Sequence, residues 1–195
     1  EMLEQVGADT LRVAMLLSAA PKNDFHWTDE PIRRCAVFLE ELWAYAEPRL
    51  RRWPELDASL RECIDGSDRL RRKVVTWCDA ARANVTRALD ALEMKHAVDG
   101  VMGLFDKLRE FERRARAARG GELEAADEAA LVIALRHLVR LLAPMAPHLA
   151  EELWSLCGEQ ELLATLPWPE PVPRTSAPGR AGTGSRPPGQ AAPAR

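Results

Sequence analysis

Residues 141–154 read LLAPMAPHLAEELW, an apolar, helix-favouring stretch with two prolines, Pro144 and Pro147, in its middle. A proline lacks the backbone N–H and clashes with the preceding turn, so it costs about 3 kcal/mol in a helix interior but little in a first turn. The stretch therefore predicts two helices. The first ends near Ala143, and the second begins at or just before Pro147.

Helical periodicity recurs on both sides of this stretch, and no short window alternates between apolar and polar residues as a half-buried strand does. We therefore expect an all-α fold. The expected helices cover residues 7–20, about 29–46 with Thr28 as its cap, 67–92 with Ser67 as its cap, about 95–118, about 127–143 and 147–157. The buried stripe of the second helix is expected to hold Ile32, Cys35, Val37, Phe38, Leu42 and Tyr45. Three long helices joined by short loops favour an antiparallel bundle.

Composition bounds the class of protein. The chain has 195 residues, of which 47% are hydrophobic, enough for one globular domain with a tail. Its longest apolar run, Val13–Ala20, is far shorter than the roughly 20 residues that span a bilayer, so we expect a cytoplasmic protein without a membrane partner. The four cysteines are spaced singly, which favours reduced, buried thiols over disulfides or a zinc site.

Charge is unevenly distributed along the chain. Residues 1–170 carry 23 Lys and Arg against 30 Asp and Glu, a net charge of −7. Residues 69–119, in contrast, hold 13 basic and 7 acidic side chains, a net charge of +6. The last segment, residues 171–195, contains six prolines, four glycines, four arginines and no acid, a composition that predicts disorder.

Catalytic and metal-binding patterns do not stand out. The glycines form no phosphate-binding loop, and the histidines are not spaced as metal ligands, so His137 and His148 are assigned to the core or to a helix cap. The basic segment is the one surface that suggests a ligand, because phosphate backbones bind such faces. The alternative is a solvated helix face with pairs such as Asp106–Arg109 and Glu110 with Arg113 or Arg114.

The stretch LLAPMAPHLAEELW, followed after a gap by LPWPEP, resembles the anticodon-binding helical domain of class I aminoacyl-tRNA synthetases. The N-terminal segment GADTLRVAMLLSAAPKNDFHWTDE resembles the segment after the KMSKS loop in the leucine, isoleucine and valine enzymes. Its ending, DFHWTDE, is most similar to leucyl-tRNA synthetases. The segment RALDALEMKHAVDGVMGLFDKLREFERR resembles the long helices of that domain, so the resemblance covers about residues 1–170.

This resemblance implies a domain organisation and partners. Residues 1–28 would follow a missing KMSKS loop, residues 29–170 would form the α-helical bundle, and residues 171–195 the disordered tail. The HIGH-type and KMSKS-type motifs that bind ATP are not in the chain. We therefore expect a chain that is not catalytic alone and binds no cofactor, whereas the full enzyme would use ATP and Mg²⁺ to join leucine to tRNA.

The implied partners are tRNA and the missing catalytic domain, or an upstream polypeptide that carries it. The resemblance implies contact with the tRNA backbone rather than sequence readout. The residues expected to bind tRNA are Arg71, Arg72, Lys73, Lys107, Arg113 and Arg114. The alternatives are a fragment of an isoleucyl- or valyl-tRNA synthetase, a freestanding module without catalysis that binds tRNA or another partner, and an incomplete translation product.

Overall fold

The computed structural model of the chain describes residues 6–18, 29–56, 58–62 and 64–175. Its helices are α1 (Ala8–Ser18), α2 (Asp29–Leu50), α3 (Ala58–Glu62), α4 (Arg69–Asp90), α5 (Met94–Ala118), α6 (Ala125–Leu142) and α7 (Pro147–Ser155). Two 3₁₀ turns cover Trp53–Glu55 and Leu163–Thr165, and two short strands are β1 (Ile64–Asp65) and β2 (Arg174–Thr175). The all-α prediction is confirmed. The expected cap Thr28 and the cysteine Cys63 lie outside the described residues.

Helix α6 is the centre of the fold. It is apolar almost all around, with the run from Ala129 to Leu135 entirely buried, as expected for a helix enclosed by others. Helices α4 and α5 form an antiparallel hairpin that packs on α6, while α2 and α7 also contact it. The start of α6 is closed by a capping box between Glu124 and Asp127, so the expectation that Asp127 or a nearby acid begins this helix is confirmed.

The double-proline break has the predicted form. Helix α6 ends at Leu142, and α7 begins with Pro147 in its first turn. The residue before Pro147 is Ala146, whose side chain cannot cap the helix. The cap comes instead from α1, where the Asp9 carboxylate accepts a 2.7 Å hydrogen bond from the backbone N–H of Leu149. The same carboxylate lies 2.9 Å from the His148 ring.

Helix α2 runs further than predicted. It continues through Pro48 to Leu50 rather than ending near Ala46, because a proline in the last turn removes only one backbone hydrogen bond and the Leu50 side chain is fully buried. Val37, which was expected in the buried stripe, is 47% exposed, and Leu39 is buried in its place. The core-facing side of α2 therefore lies at a different angle from the predicted stripe.

The ends of α4 also differ from prediction. Its N-cap is Asp68, which accepts from the backbone N–H groups of Leu70 and Arg71, whereas Ser67 donates to Asp65. The helix ends at Asp90 rather than at Leu92, which adopts a φ of 57° and is 65% exposed. Two adjacent capping residues cannot be ranked from sequence, because Ser and Asp are similarly good N-caps.

The segment after α7 wraps back across the bundle. The Glu151 carboxylate accepts from the backbone N–H groups of Leu163 and Ala164, and the Trp168 indole N–H donates to Thr86 at 2.8 Å. We call residues 162–175 the strap.

The strap continues beyond the predicted boundary of the tail. Val172 is buried, and its backbone N–H donates to Asp79 of α4. Residues 174–175 then pair with β1 in a two-residue parallel ladder. Disorder from residue 171 is therefore wrong for residues 171–175, while residues 176–195 lie outside the described part. The prediction of disorder, which was based on composition, was wrong for these five residues because one buried valine and several backbone hydrogen bonds keep them ordered.

The cysteines that the structure describes are buried, free thiols. Cys35, Cys78 and Cys157 are buried, and burial raises the pKa of the Cys35 thiol to about 11. Trp154 is buried, whereas Trp43 and Trp77 are half-buried against the core. Among the helices that the structure describes, none combines the length and the apolar character that crossing a bilayer requires.

Removing the cap that α1 supplies should weaken the fold. We expect Asp9→Ala to lower the free energy of unfolding by about 0.5–2 kcal/mol, the usual cost of losing a helix N-cap. Urea titration followed by circular dichroism measures this change. Asp106→Ala, an exposed change in the middle of α5, is the matched control and should leave stability almost unchanged. Equal stabilities of the two variants would contradict the capping role of Asp9.

His137 should make stability depend on pH. This residue is buried in α6, and burial lowers its pKa from 6.5 to about 4. Between these values the unfolded chain binds a proton that the folded chain does not, so stability falls as the pH falls. From pH 6.5 to 5 we expect a loss of about 1.5–2 kcal/mol.

This window lies above the ordinary pKa range of carboxyl groups, so their titration contributes little. Urea titrations at several pH values measure the slope. His137→Gln should flatten it, and the exposed variant His96→Gln should keep the wild-type slope. A slope unchanged in His137→Gln would refute this assignment.

Candidate nucleic-acid interface

The α4–α5 hairpin places the two halves of the basic segment, residues 69–119, side by side on antiparallel helices. A Cβ added at Gly100 of α5 would lie 3.0 Å from a methyl group of Val85 of α4. At the other end of the hairpin, Arg119 and Asp68 form a 3.4 Å ion pair. With this antiparallel register, residues 72–73 of α4 lie level with residues 113–114 of α5.

Arg71 does not belong to the exposed surface. It is 7% exposed, and its guanidinium group lies 3.1 Å from Asp65, 3.1 Å from Glu124 and 2.9 Å from Asp127. Its pKa is raised, because these hydrogen bonds and charges outweigh the cost of burial. The expectation that Arg71 contacts tRNA is therefore corrected: a guanidinium group surrounded by three carboxylates cannot reach a phosphate.

The partners of Arg71 form a buried ionic cluster at one end of the bundle. Asp127, which is fully buried, also binds Arg119, and Arg119 reaches Asp68 and Glu124. Arg71 and Arg119 thus hold together the start of α4, the end of α5 and the start of α6. Removing one arginine of this cluster leaves the buried Asp127 with a single cationic partner, which costs stability.

Arg72 and Lys73, in contrast, face outward or lie at the edge of the surface. Arg72 is exposed and donates two 2.8 Å hydrogen bonds to the backbone carbonyls of Gly66 and Ser67, which fixes its position without neutralising its charge. Lys73 is half-buried and Lys107 is exposed. Within the described part of the chain, these three side chains form no ion pair.

Arg113 and Arg114 share one acidic partner. Both guanidinium groups bind the Glu110 carboxylate, as the sequence suggested, at 2.7 Å for Arg113. The hydrogen bond from Arg113 lowers the pKa of Glu110, desolvation opposes this shift, and the hydrogen bond from Arg114 lowers the pKa further. Their charge is therefore partly neutralised before any ligand approaches.

The remaining arginines of α5 pair with neighbouring acids. Arg109 binds Glu41 of α2 at 2.6 Å rather than Asp106 of its own helix, so the expected Asp106–Arg109 pair is wrong. Arg116 binds Glu112, which also accepts from Arg49 of α2. No spacing rule within one helix could reveal the contacts to α2, since their partners are more than 60 residues away.

Comparison with known proteins places this arrangement in a family. Residues 71–180 match the anticodon-binding domain of tRNA ligase. The chain belongs to this family. The leucine–tRNA ligase of Rhizorhabdus wittichii is 34% identical over 169 residues, covering 86% of this chain and 17% of the relative. The beta subunit of leucine–tRNA ligase from Aquifex aeolicus is 29% identical over 174 residues, covering 87% of this chain and 56% of the relative.

A solved structure agrees with these relatives. The agnB2 LeuRS of Agrobacterium radiobacter K84, in a ternary complex with tRNA and LeuAMS, matches with a TM-score of 0.69 and 27% sequence identity. The match covers 87% of this domain and 20% of that chain. The resemblance read from the two end motifs is thus confirmed. The chain spans about a fifth of the length of the Rhizorhabdus wittichii and Agrobacterium radiobacter proteins.

Arg71 and Arg72 are neighbours in sequence with opposite roles, which gives a direct test of the buried cluster. Arg71→Met should destabilise the domain by about 1–3 kcal/mol, because Asp127 loses one of its two buried partners and keeps Arg119. Arg72→Met removes an exposed group with two hydrogen bonds to carbonyls and should cost about 1 kcal/mol or less. Urea titrations compare the two variants. Equal losses would show that Arg71 is not the structural residue of this pair.

Proposed function

We propose that this domain binds tRNA as the helical domain of a leucine–tRNA ligase, and that leucylation takes place in a catalytic part outside this chain. The observation that carries the proposal is the similarity, over 87% of the chain, to a LeuRS solved together with tRNA and LeuAMS. ATP and Mg²⁺ would act in that catalytic part, since the chain lacks the HIGH and KMSKS motifs.

The Aquifex aeolicus relative supports a catalytic part on another polypeptide as one arrangement. It is called a beta subunit, and the domain covers 56% of it. The other arrangement is a single chain, as in the Rhizorhabdus wittichii relative. In both arrangements the domain would hold the tRNA while a separate active site performs the chemistry in the cytoplasm.

The charge distribution supports binding through phosphates. Residues 1–170 are acidic as a whole, with a net charge of −7, yet the hairpin segment 69–119 has a net charge of +6. An acidic protein that binds a polyanion needs one favourable side, and each phosphate that this side neutralises releases counterions. Affinity should therefore depend strongly on salt concentration.

The test is binding of the purified full chain to an unmodified leucine tRNA transcript, measured by fluorescence anisotropy at several salt concentrations. We expect a Kd of about 10⁻⁶ to 10⁻⁴ M at low salt and a steep loss of affinity as salt rises. A version ending at Thr175, which keeps the buried Val172, controls for unspecific binding by the arginines beyond it.

Two outcomes would contradict the proposal. One is no detectable binding at low salt by either version, and the other is binding that disappears when residues 176–195 are removed. A parallel assay of leucine-dependent ATP–pyrophosphate exchange should give no signal with the purified chain, because the proposal locates adenylate formation elsewhere.

A further inference from the structure

The two helices of the hairpin differ in how far their positive charges are already neutralised. Helix α5 has six Lys and Arg side chains, and five of them form ion pairs with Asp99, Glu41, Glu110 or Glu112. Helix α4 also has six, but Arg71 alone is ion-paired within the described part of the chain. The two helices therefore have equal numbers of cations, but α4 has many more that form no ion pair.

Four of the five unpaired cations of α4 lie on or beside one exposed face, while the fifth, Arg82, is half-buried. The exposed positions of α4 follow a spacing of three or four residues, which places them in one row along the helix. The row consists of Arg69, Arg72, Thr76, Ala80, Ala83 and Arg87. Lys73 lies half-buried beside it. From Arg69 to Arg87 the row is about 27 Å long at 1.5 Å per residue.

Acidic side chains of α4 lie at the flank or at the C-terminal end of this face. Helix α4 has two acids, Asp79 and Asp90. Asp79 is half-buried and accepts a hydrogen bond from the backbone N–H of Val172, so it points to the strap. Asp90 is exposed in the last turn, three residues after Arg87, so it ends the row beside Arg87 and far from Arg69 and Arg72. Between Arg72 and Arg87 the row presents only small uncharged side chains, which leave the helix open to close approach.

The face suits a phosphate backbone rather than unpaired bases. Recognition of single-stranded RNA relies on stacking of bases on aromatic rings, whereas double-stranded RNA is bound by contacts to phosphates and ribose. Trp77, the aromatic residue of α4, packs against the core. The large exposed hydrophobic residues of the described part are Met15, Val37, Leu92 and Leu162, and none lies on α4.

We propose that the exposed face of α4 is the surface that receives the phosphate backbone of a double-stranded stem of tRNA, with Arg69, Arg72, Lys73 and Arg87 as its contacts. Arg113 and Arg114 of α5 then serve mainly as partners of Glu110. This inference rests on the proposed function and specifies where on the hairpin the tRNA lies.

Two triple variants test the proposal. The first changes Arg69, Lys73 and Arg87 to Gln on α4. The second changes Arg109, Arg113 and Arg114 to Gln on α5. Both remove three positive charges, so they lower the net charge equally, and neither touches the buried cluster of Arg71. Because the two variants have the same net charge, any difference in their affinity for tRNA depends on where the charges were removed.

Affinity for the leucine tRNA transcript is measured over a salt series. The α4 variant should bind at least about 30-fold more weakly at 50 mM salt, and its slope of log affinity against log salt should decrease by about 2–3. The α5 variant should bind within about threefold of wild type. Circular dichroism and urea titration verify that each variant folds, and the single variant Arg87→Glu, at an exposed position, provides the same test if a triple variant is unstable.

Competition identifies the kind of RNA. Duplex RNA of unrelated sequence should displace the tRNA better than single-stranded RNA of the same total charge. An equal or larger loss of affinity in the α5 variant, or better competition by single-stranded RNA, would overturn the inference. Wild-type binding that the α4 changes leave intact would overturn the surface alone, whereas no tRNA binding by the wild-type chain would overturn the proposed function with it.

Discussion

One buried carboxylate, Asp127, determines how helices α4, α5 and α6 meet. It is fully buried and bound by Arg71 at the start of α4 and by Arg119 at the end of α5, while its own position is the first turn of α6. A buried charge without a partner is strongly destabilising, so the three helix ends must stay together for the fold to persist. The register of the hairpin and the position of α6 both depend on this contact.

The same contact decides which basic residues can serve a ligand. Successive residues of a helix point about 100° apart, so burying Arg71 in the cluster turns Arg72 to the outside. The structural and the exposed arginine are thus adjacent in sequence. On α5, cross-helix pairs with α2, such as Arg109–Glu41, use the charge for packing instead. Counting basic residues along the chain cannot separate these uses, since both helices contribute equally to the count.

The features that the sequence predicted depend on residues that are close together in the chain. The double-proline break, the α4–α5 hairpin and the acidic start of α6 follow from proline, glycine and capping residues that act within one turn. Gly120 and Gly121, both with positive φ, end the hairpin as expected. The basic segment was recognised as the candidate site, but the burial of Arg71 could not be predicted, because whether an arginine is free depends on acids from other parts of the chain.

What the sequence could not predict involves partners that are far apart in the chain. Asp9 caps helix α7, about 140 residues later in the chain, and no sequence pattern near Ala146 indicates this contact. The strap was missed for a similar reason. Its proline-rich composition resembles that of the tail, and its order depends on Thr86 and Asp79, which are more than 80 residues earlier.

The strap and the core together explain why one face of α4 stays open. The strap covers the flank of the helix that carries Asp79 and Thr86, and α5 covers another side, where Val85 faces Gly100. The buried residues Val74, Val75 and Cys78 lie in the core of the bundle. The exposed side that remains carries the row from Arg69 to Arg87, and its cations are unpaired because the neighbouring elements cover the other sides of the helix. The candidate surface is therefore a consequence of the packing.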